Sequence, residues 1–154
     1  MLRLSKLTDY ATVILSFMAR DNTHVHAAME IASETGIALP TVSKILKLLV
    51  KANVLTSTRG AKGGYALAGA PEKITIAAVI SALEGPIALT ECSISQQRCE
   101  QASGCGIRGN WSLINQTIHN ALESVTLADM IRPARSQDPA WGQEILIPVA
   151  SLYR

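Results

Sequence analysis

Apolar residues in the first half of the chain return at helical intervals. In KLTDYATVILSFMAR, residues 6–20, Leu7, Tyr10, Ala11, Ile14, Phe17 and Met18 fall on one face, predicting a helix with one buried side. DNTH reads as a turn. HAAMEIASET, residues 26–35, predicts a short second helix that Gly36 stops. A third helix is predicted over PTVSKILKLLVKANV, with Pro40 at its first position, where the missing N–H costs nothing. Val42, Ile45, Leu46 and Leu49 form its apolar stripe, and Thr41, Lys44, Lys47, Leu48 and Lys51 lie on the other side. Two helices joined by a short turn, the second basic on its outer face, make a helix-turn-helix pattern.

The period then changes. Residues 55–59 and 65–68 suit two short strands, and GAKGG between them supplies a hairpin's glycines. Arg59 and Lys62 fall at or near its tip. A basic hairpin directly after a basic helix is the order of a winged helix. Thr75 suits the cap of a further helix that buries Ile76, Val79, Ile80 and Leu83 and ends at Gly85–Pro86. Residues 87–110 show no period and read as a loop. Residues 111–125 return to helix, with Trp111, Ile114, Ile118, Ala121, Leu122 and Val125 on one long apolar face. Nothing remaining in the chain covers that face, but a second copy could, so a homodimer is expected. TLADMI, 126–131, suits one more turn, and the tail from Pro133 is expected to be poorly ordered. The expected fold is mainly α, in four parts. These are a winged helix-turn-helix DNA-binding domain with a two-stranded wing (1–84), a cysteine-bearing loop (85–110), a long dimerisation helix (111–131) and a tail (132–154).

Composition supports helices. Apolar residues are 48% of the 154, but there is one Phe, two Trp and three Tyr, so the core must be built mainly from Ala, Leu, Ile and Val. The net charge of +2 hides an asymmetry: residues 1–70 carry eight Lys/Arg against four Asp/Glu, and residues 71–154 carry six against eight. The basic half is the one with the helix-turn-helix, which fits a double-stranded DNA partner. On this reading Lys44, Lys47, Arg59 and Lys62 meet phosphates, while Thr41, Ser43 and Lys44 lie near base edges; a solvated lysine face is the plainer alternative. No stretch suits a membrane span or a secretory leader, so a cytoplasmic location is expected. No nucleophile–base pair, acid pair or phosphate loop points to an enzyme.

All three cysteines, Cys92, Cys99 and Cys105, fall in the aperiodic segment, separated by six and five residues. An odd count argues against a disulfide framework, and a reducing compartment favours ligands or sensors. No CxxC pair marks a zinc site. The wider gaps suit a larger object such as an iron–sulfur cluster. Zinc, a metal-free thiol sensor and inert thiols remain open readings.

LRLSKLTDYA, PTVSKILKLLVKANVL, STRGAKGGYALA, ITIAAVISALEG and the three-cysteine loop followed by Trp111 and a long helix resemble the winged-helix regulator family that includes IscR, NsrR and RirA. The likeness runs over residues 1 to about 131 and is nearest to members that regulate SUF-type iron–sulfur assembly genes. It implies a homodimeric, cluster-sensing repressor whose cluster, 2Fe–2S or 4Fe–4S, is held by the three cysteines. It also adds Gly63, Gly64 and Tyr65 to the DNA-binding wing. Where the IscR-like branch has a histidine ligand, three residues after the last cysteine, this chain has Arg108, which cannot bind a metal. The NsrR-like branch uses an acid from the partner's first helix, a position held here by Asp9; His24 and His26 are weaker candidates. A nitric-oxide or iron responder, and an iron–sulfur carrier, are the alternatives the same residues leave.

Overall fold

A computed structural model describes residues 3–60, 62–95 and 104–132. Its elements run α1 Lys6–Arg20, α2 Ala28–Thr35, α3 Leu39–Lys51, β1 Leu55–Thr58, β2 Gly64–Leu67, a 3-10 turn Pro71–Lys73, α4 Ile76–Glu84, α5 Glu91–Ile94, α6 Arg108–Glu123 and α7 Leu127–Ile131. The expectation of a mainly α winged helix holds. The tail, Cys99 and Ala61 lie outside the described residues.

The core sits around α1, which packs against α2, α3, α4 and α7. Crowding from several sides buries more than the one face the spacing marks: Thr8, Leu15 and Ala19 are buried beside Ala11, Ile14 and Met18. Ser5 caps the helix, its hydroxyl accepting the Thr8 N–H at 3.3 Å. The hydroxyl of Thr8 would be costly to bury unpaired. It donates to Glu84 Oε1, the last residue of α4, at 2.5 Å, and the same oxygen accepts the Ser5 N–H at 2.7 Å. Both bonds hold the Glu84 carboxyl below its ordinary range, Thr8 having the larger effect.

The helix-turn-helix joins α2 to α3 through Gly36, whose φ of +69° suits a residue with no Cβ. Helix α3 begins at Leu39, so Pro40 stands second rather than first. Val42, Ile45, Leu46 and Leu49 are fully buried, as their stripe requires. Asn53, at φ +58°, turns the chain out of α3 and into the wing. There β1 and β2 pair antiparallel, Leu55 with Leu67 and Thr58 with Gly64.

The wing has a third participant that residue spacing did not indicate. His26 opens no helix; it pairs with Tyr65 as an isolated bridge, and each N–H reaches the other's carbonyl at 2.8 Å. Helix α2 therefore starts two residues later than its expected bound.

Thr75 caps α4 by accepting the Ala78 N–H. The expected loop contains a one-turn helix, α5, and the long helix begins at Arg108, not Trp111. The last turn, α7, is formed as expected, with Thr126 and Asp129 bonding reciprocally at its start. It returns to the head: Leu127 and Ile76 donate to the Ile74 and Val125 carbonyls, and Leu127 is buried against α1.

Candidate nucleic-acid interface and thiol segment

The outer face of α3 follows from its inner one. With the apolar stripe buried, positions 41, 44, 47 and 51 turn outward at intervals of three and four. Lys44, Lys47 and Lys51 are exposed, while Thr41 and Ser43 are half-buried at the same helix's edge. None of the three lysines has an acidic partner within ion-pair distance among the described residues. Their charge is therefore available to a polyanion.

Arg59 and Lys62 are exposed at the hairpin turn, which closes with a Gly63 N–H to Gly60 carbonyl bond of 2.9 Å. Gly63 and Gly64 are half-buried and sterically confined. A Cβ on Gly64 would stand 2.5 Å from the His26 oxygen, and one on Gly63 would press on the Thr58 carbonyl. Tyr65 is half-buried and packs on the core. The structure thus separates the wing into two exposed cations and three residues whose contacts are internal.

Cys92 and Cys105 lie at the foot of α6. Cys92 sits on α5, half-buried, with Thr90 Oγ1 3.2 Å from its sulfur. Cys105 is half-buried three residues before α6 begins. Both are free. Cys92, Ile94, Arg108, Ser112 and Gln116 line an open recess of about 360 Å³. Asn115, also on its wall, holds the chain leading to α5: it accepts the Leu89 N–H and donates to the Ile87 carbonyl, both at 3.1 Å. Aperiodic segments give no sign of such a clamp, and Asn115 was not among the expected site residues.

Asp9 does not line this recess. It is exposed in the first turn of α1. Of the two weaker candidates, His24 is exposed and His26 is buried beneath the wing with both ring nitrogens near oxygens. No residue of α6 is buried; Leu113 and Ile114 are exposed, and Trp111, Ile118 and Leu122 half-exposed. Among the described residues, the face expected to need a cover is covered only in part. No helix among the described residues is long and apolar enough to cross a membrane.

Known proteins share this layout. The profile of a family described as Rrf2, an iron-dependent transcriptional regulator, matches residues 4–133. The protein rrf2 of Nitratidesulfovibrio vulgaris is 32% identical over 134 residues, covering 86% of this chain and 89% of the relative. The HTH-type transcriptional regulator IscR of Erwinia tasmaniensis is 26% identical over 147 residues, covering 95% of this chain and 83% of that protein. Among solved structures, CymR, the global cysteine regulator of B. subtilis, superposes with a TM-score of 0.65 at 29% identity, over 85% of this chain and 97% of CymR.

Proposed function

The chain belongs to the Rrf2 family of transcriptional regulators, and from that premise we propose that it is a homodimeric repressor of SUF-type iron–sulfur assembly genes that senses iron–sulfur status. The observation that carries the sensing role is the gathering of thiols: every cysteine of the chain lies between residues 92 and 105, and the two described ones are free at the foot of α6. The donor chemistry suits an iron–sulfur group. Thiolates are the ligands such clusters take. The Thr90 hydroxyl can donate to the Cys92 sulfur, and Arg108 brings positive charge to the same recess.

Cys92, Cys99 and Cys105 would hold the group, with Asp9 of the partner subunit as a fourth, harder and more labile ligand. When bound, the group would supply a tie, breakable by oxidation or iron loss, between the thiol segment of one protomer and the first helix of the other. The chain's own residues do the rest. Helix α3 enters the major groove, Thr41, Ser43 and Lys44 face base edges, and Lys44, Lys47, Arg59 and Lys62 take phosphates. Gly63, Gly64 and Tyr65 keep the wing against the head so that its two cations reach the backbone. The apolar face of α6 pairs with its copy and sets the distance between the two heads. Since α1 carries Asp9 and packs on α3, a change at the tie alters half-site spacing. A coupling of about 1–3 kcal/mol changes DNA affinity roughly 5- to 150-fold.

Anaerobic purification with an absorption spectrum and iron and sulfide counts tests the sensing role. The expected protein is coloured, with iron and acid-labile sulfide in equal amounts, and Asp9→Ala loses its iron faster while staying folded. Colourless protein with three titratable thiols would overturn it. That outcome favours a second reading, a metal-free thiol regulator, which the likeness to CymR at 29% identity supports equally. Mobility shift with and without iron separates either regulator from an iron–sulfur carrier, which would leave DNA unbound.

A further inference from the structure

Away from the thiols, His24, His26 and Glu30 bring three potential ligand atoms within 4.8 Å of one another. They come from the turn after α1, the strand-like link before α2, and the first turn of α2. His26 Nδ1 lies 3.1 Å from Glu30 Oε1, and His24 Nε2 lies 3.8 Å from the same oxygen. We propose that these residues form a binding site for a divalent first-row transition ion of the zinc type, placed at the root of the wing.

The first argument is the hydrogen bonding of His26. Its side chain is 5% exposed, and both ring nitrogens face oxygens: Nε2 lies 3.2 Å from the Asp21 carbonyl and Nδ1 faces the Glu30 carboxylate. A neutral imidazole has one N–H, so it can satisfy one of the two. With the proton on Nε2, donated to the Asp21 carbonyl, a lone pair is left on Nδ1 pointing at an anion. A cation between Nδ1 and Oε1, a proton or a metal ion, resolves the conflict, and the titration below tells the two apart. A ligating histidine commonly donates its other N–H to a backbone carbonyl in this way, which fixes tautomer and ring orientation.

The second argument is the division of labour in Glu30. Oε2 accepts the Ala27 N–H at 3.1 Å and caps α2, leaving Oε1 toward the two histidines.

The third argument is dimension. Zinc–nitrogen and zinc–oxygen bonds of about 2.0–2.2 Å in a tetrahedron set ligand atoms roughly 3.3–3.5 Å apart. The 3.1 and 3.8 Å separations from the histidines to Glu30 Oε1 bracket that range, and the two imidazole nitrogens lie within 4.8 Å of each other. His24, with 54% of its side chain exposed, can swing the remaining distance without disturbing the core. Two imidazoles and a carboxylate make a borderline donor set, suited to zinc or ferrous iron rather than to calcium or magnesium. The fourth position is left to water.

An ion here would act on the wing. The main chain of His26 exchanges both of its hydrogen bonds with Tyr65, and Glu30 caps α2. One ion therefore ties the turn after α1, the start of the helix-turn-helix and strand β2 together. The site shares no residue with the thiol segment and stands whether or not the cysteines carry iron.

The test uses the full-length chain with Cys92, Cys99 and Cys105 changed to Ser, so that thiolates do not compete, titrated with Co²⁺ and followed by absorption. One equivalent is expected to bind with a nitrogen- and oxygen-ligand spectrum and no thiolate charge-transfer band. His24→Ala, at an exposed turn, and Glu30→Gln are each expected to weaken uptake at least tenfold. Zn²⁺ should slow hydrogen exchange at the Tyr65 amide in the parent and leave it unchanged in His24→Ala. Absence of Co²⁺ uptake by the parent, or uptake by His24→Ala at the parent's affinity, would overturn the site. The wild-type chain with its thiols alkylated gives the same readout should the serine variant fold poorly.

Discussion

Helices α1 and α6 are nearly equal in length, 15 and 16 residues, yet α1 buries six residues and α6 none. Both repeat apolar residues at helical spacing. The difference is what surrounds them. Helix α1 is enclosed by four other helices of its own chain. Helix α6 meets its chain along a narrow line and leaves Leu113 and Ile114 exposed at 47% and 43%. Period alone reports which side of a helix is apolar. It does not report whether the cover comes from the same chain, and here the two regions divide on that point: a head whose apolar positions are covered by its own helices, and an arm whose apolar surface is left partly open among the described residues.

The head should break first and hardest. Leu46 is wholly buried on α3 in the cluster that α1 organises. Leu46→Ala removes its packing and leaves a cavity, for an expected loss of about 2–5 kcal/mol. Urea unfolding followed by circular dichroism measures it. A loss below about 1 kcal/mol would mean that the head relaxes around the gap and that its core is less closely packed than the burial indicates.

The wing root comes next. Gly64→Ala pushes a methyl against the His26 carbonyl and carbon, backbone atoms that cannot swing aside. Overpacking of this kind costs roughly 1–3 kcal/mol. The expected result is a lower melting temperature together with faster amide exchange at His26 and Tyr65. Gly69→Ala, where nothing lies within 4 Å of the added carbon, serves as control.

These two positions show how far the sequence could be read. Leu46 stood out at once, because Val42, Ile45, Leu46 and Leu49 repeat at helical spacing. The glycines of GAKGG marked a tight hairpin, and the fold class and element order followed. The neighbour that makes Gly64 necessary did not show, since His26 lies 38 positions earlier in a segment that looked like the start of a helix. The same holds for Glu84, whose carboxylate meets the chain 79 positions away at Ser5, and for the Asn115 clamp. Each is a polar contact between distant segments, and such contacts leave no periodic trace. Leu127 was missed for a related reason: a five-residue helix carries too little pattern to reveal that the chain turns back to the head.

The arm should respond in the opposite sense. Ile114→Glu lies on the exposed face of α6, so head stability should change by no more than about 0.5 kcal/mol. For the proposed dimer, size-exclusion with light scattering should show dissociation to monomers. A variant that stays dimeric would place the subunit contact elsewhere and remove α6 from the spacing mechanism.

The smallest effect lies where head and arm join. Glu84 ends α4, and the chain leaves the head at Gly85 with φ +88°. Its carboxylate closes the N-terminus of α1, an arrangement favoured by the helix dipole. Its folded carboxyl is held below the ordinary value of 4.5, so the bond contributes stability above that pH. The contribution is lost as pH falls through the lowered folded value. Because Glu84 is exposed, solvent screening limits it to about 0.5 kcal/mol. Glu84→Gln should therefore be less stable than the parent at pH 7 by about that amount, and the gap should narrow as pH drops below 4.5. Paired melts across that range decide it. A gap independent of pH would assign the effect to packing at the junction rather than to the charge. It would also leave α1, which carries Asp9, without an electrostatic hold on the root of the thiol segment.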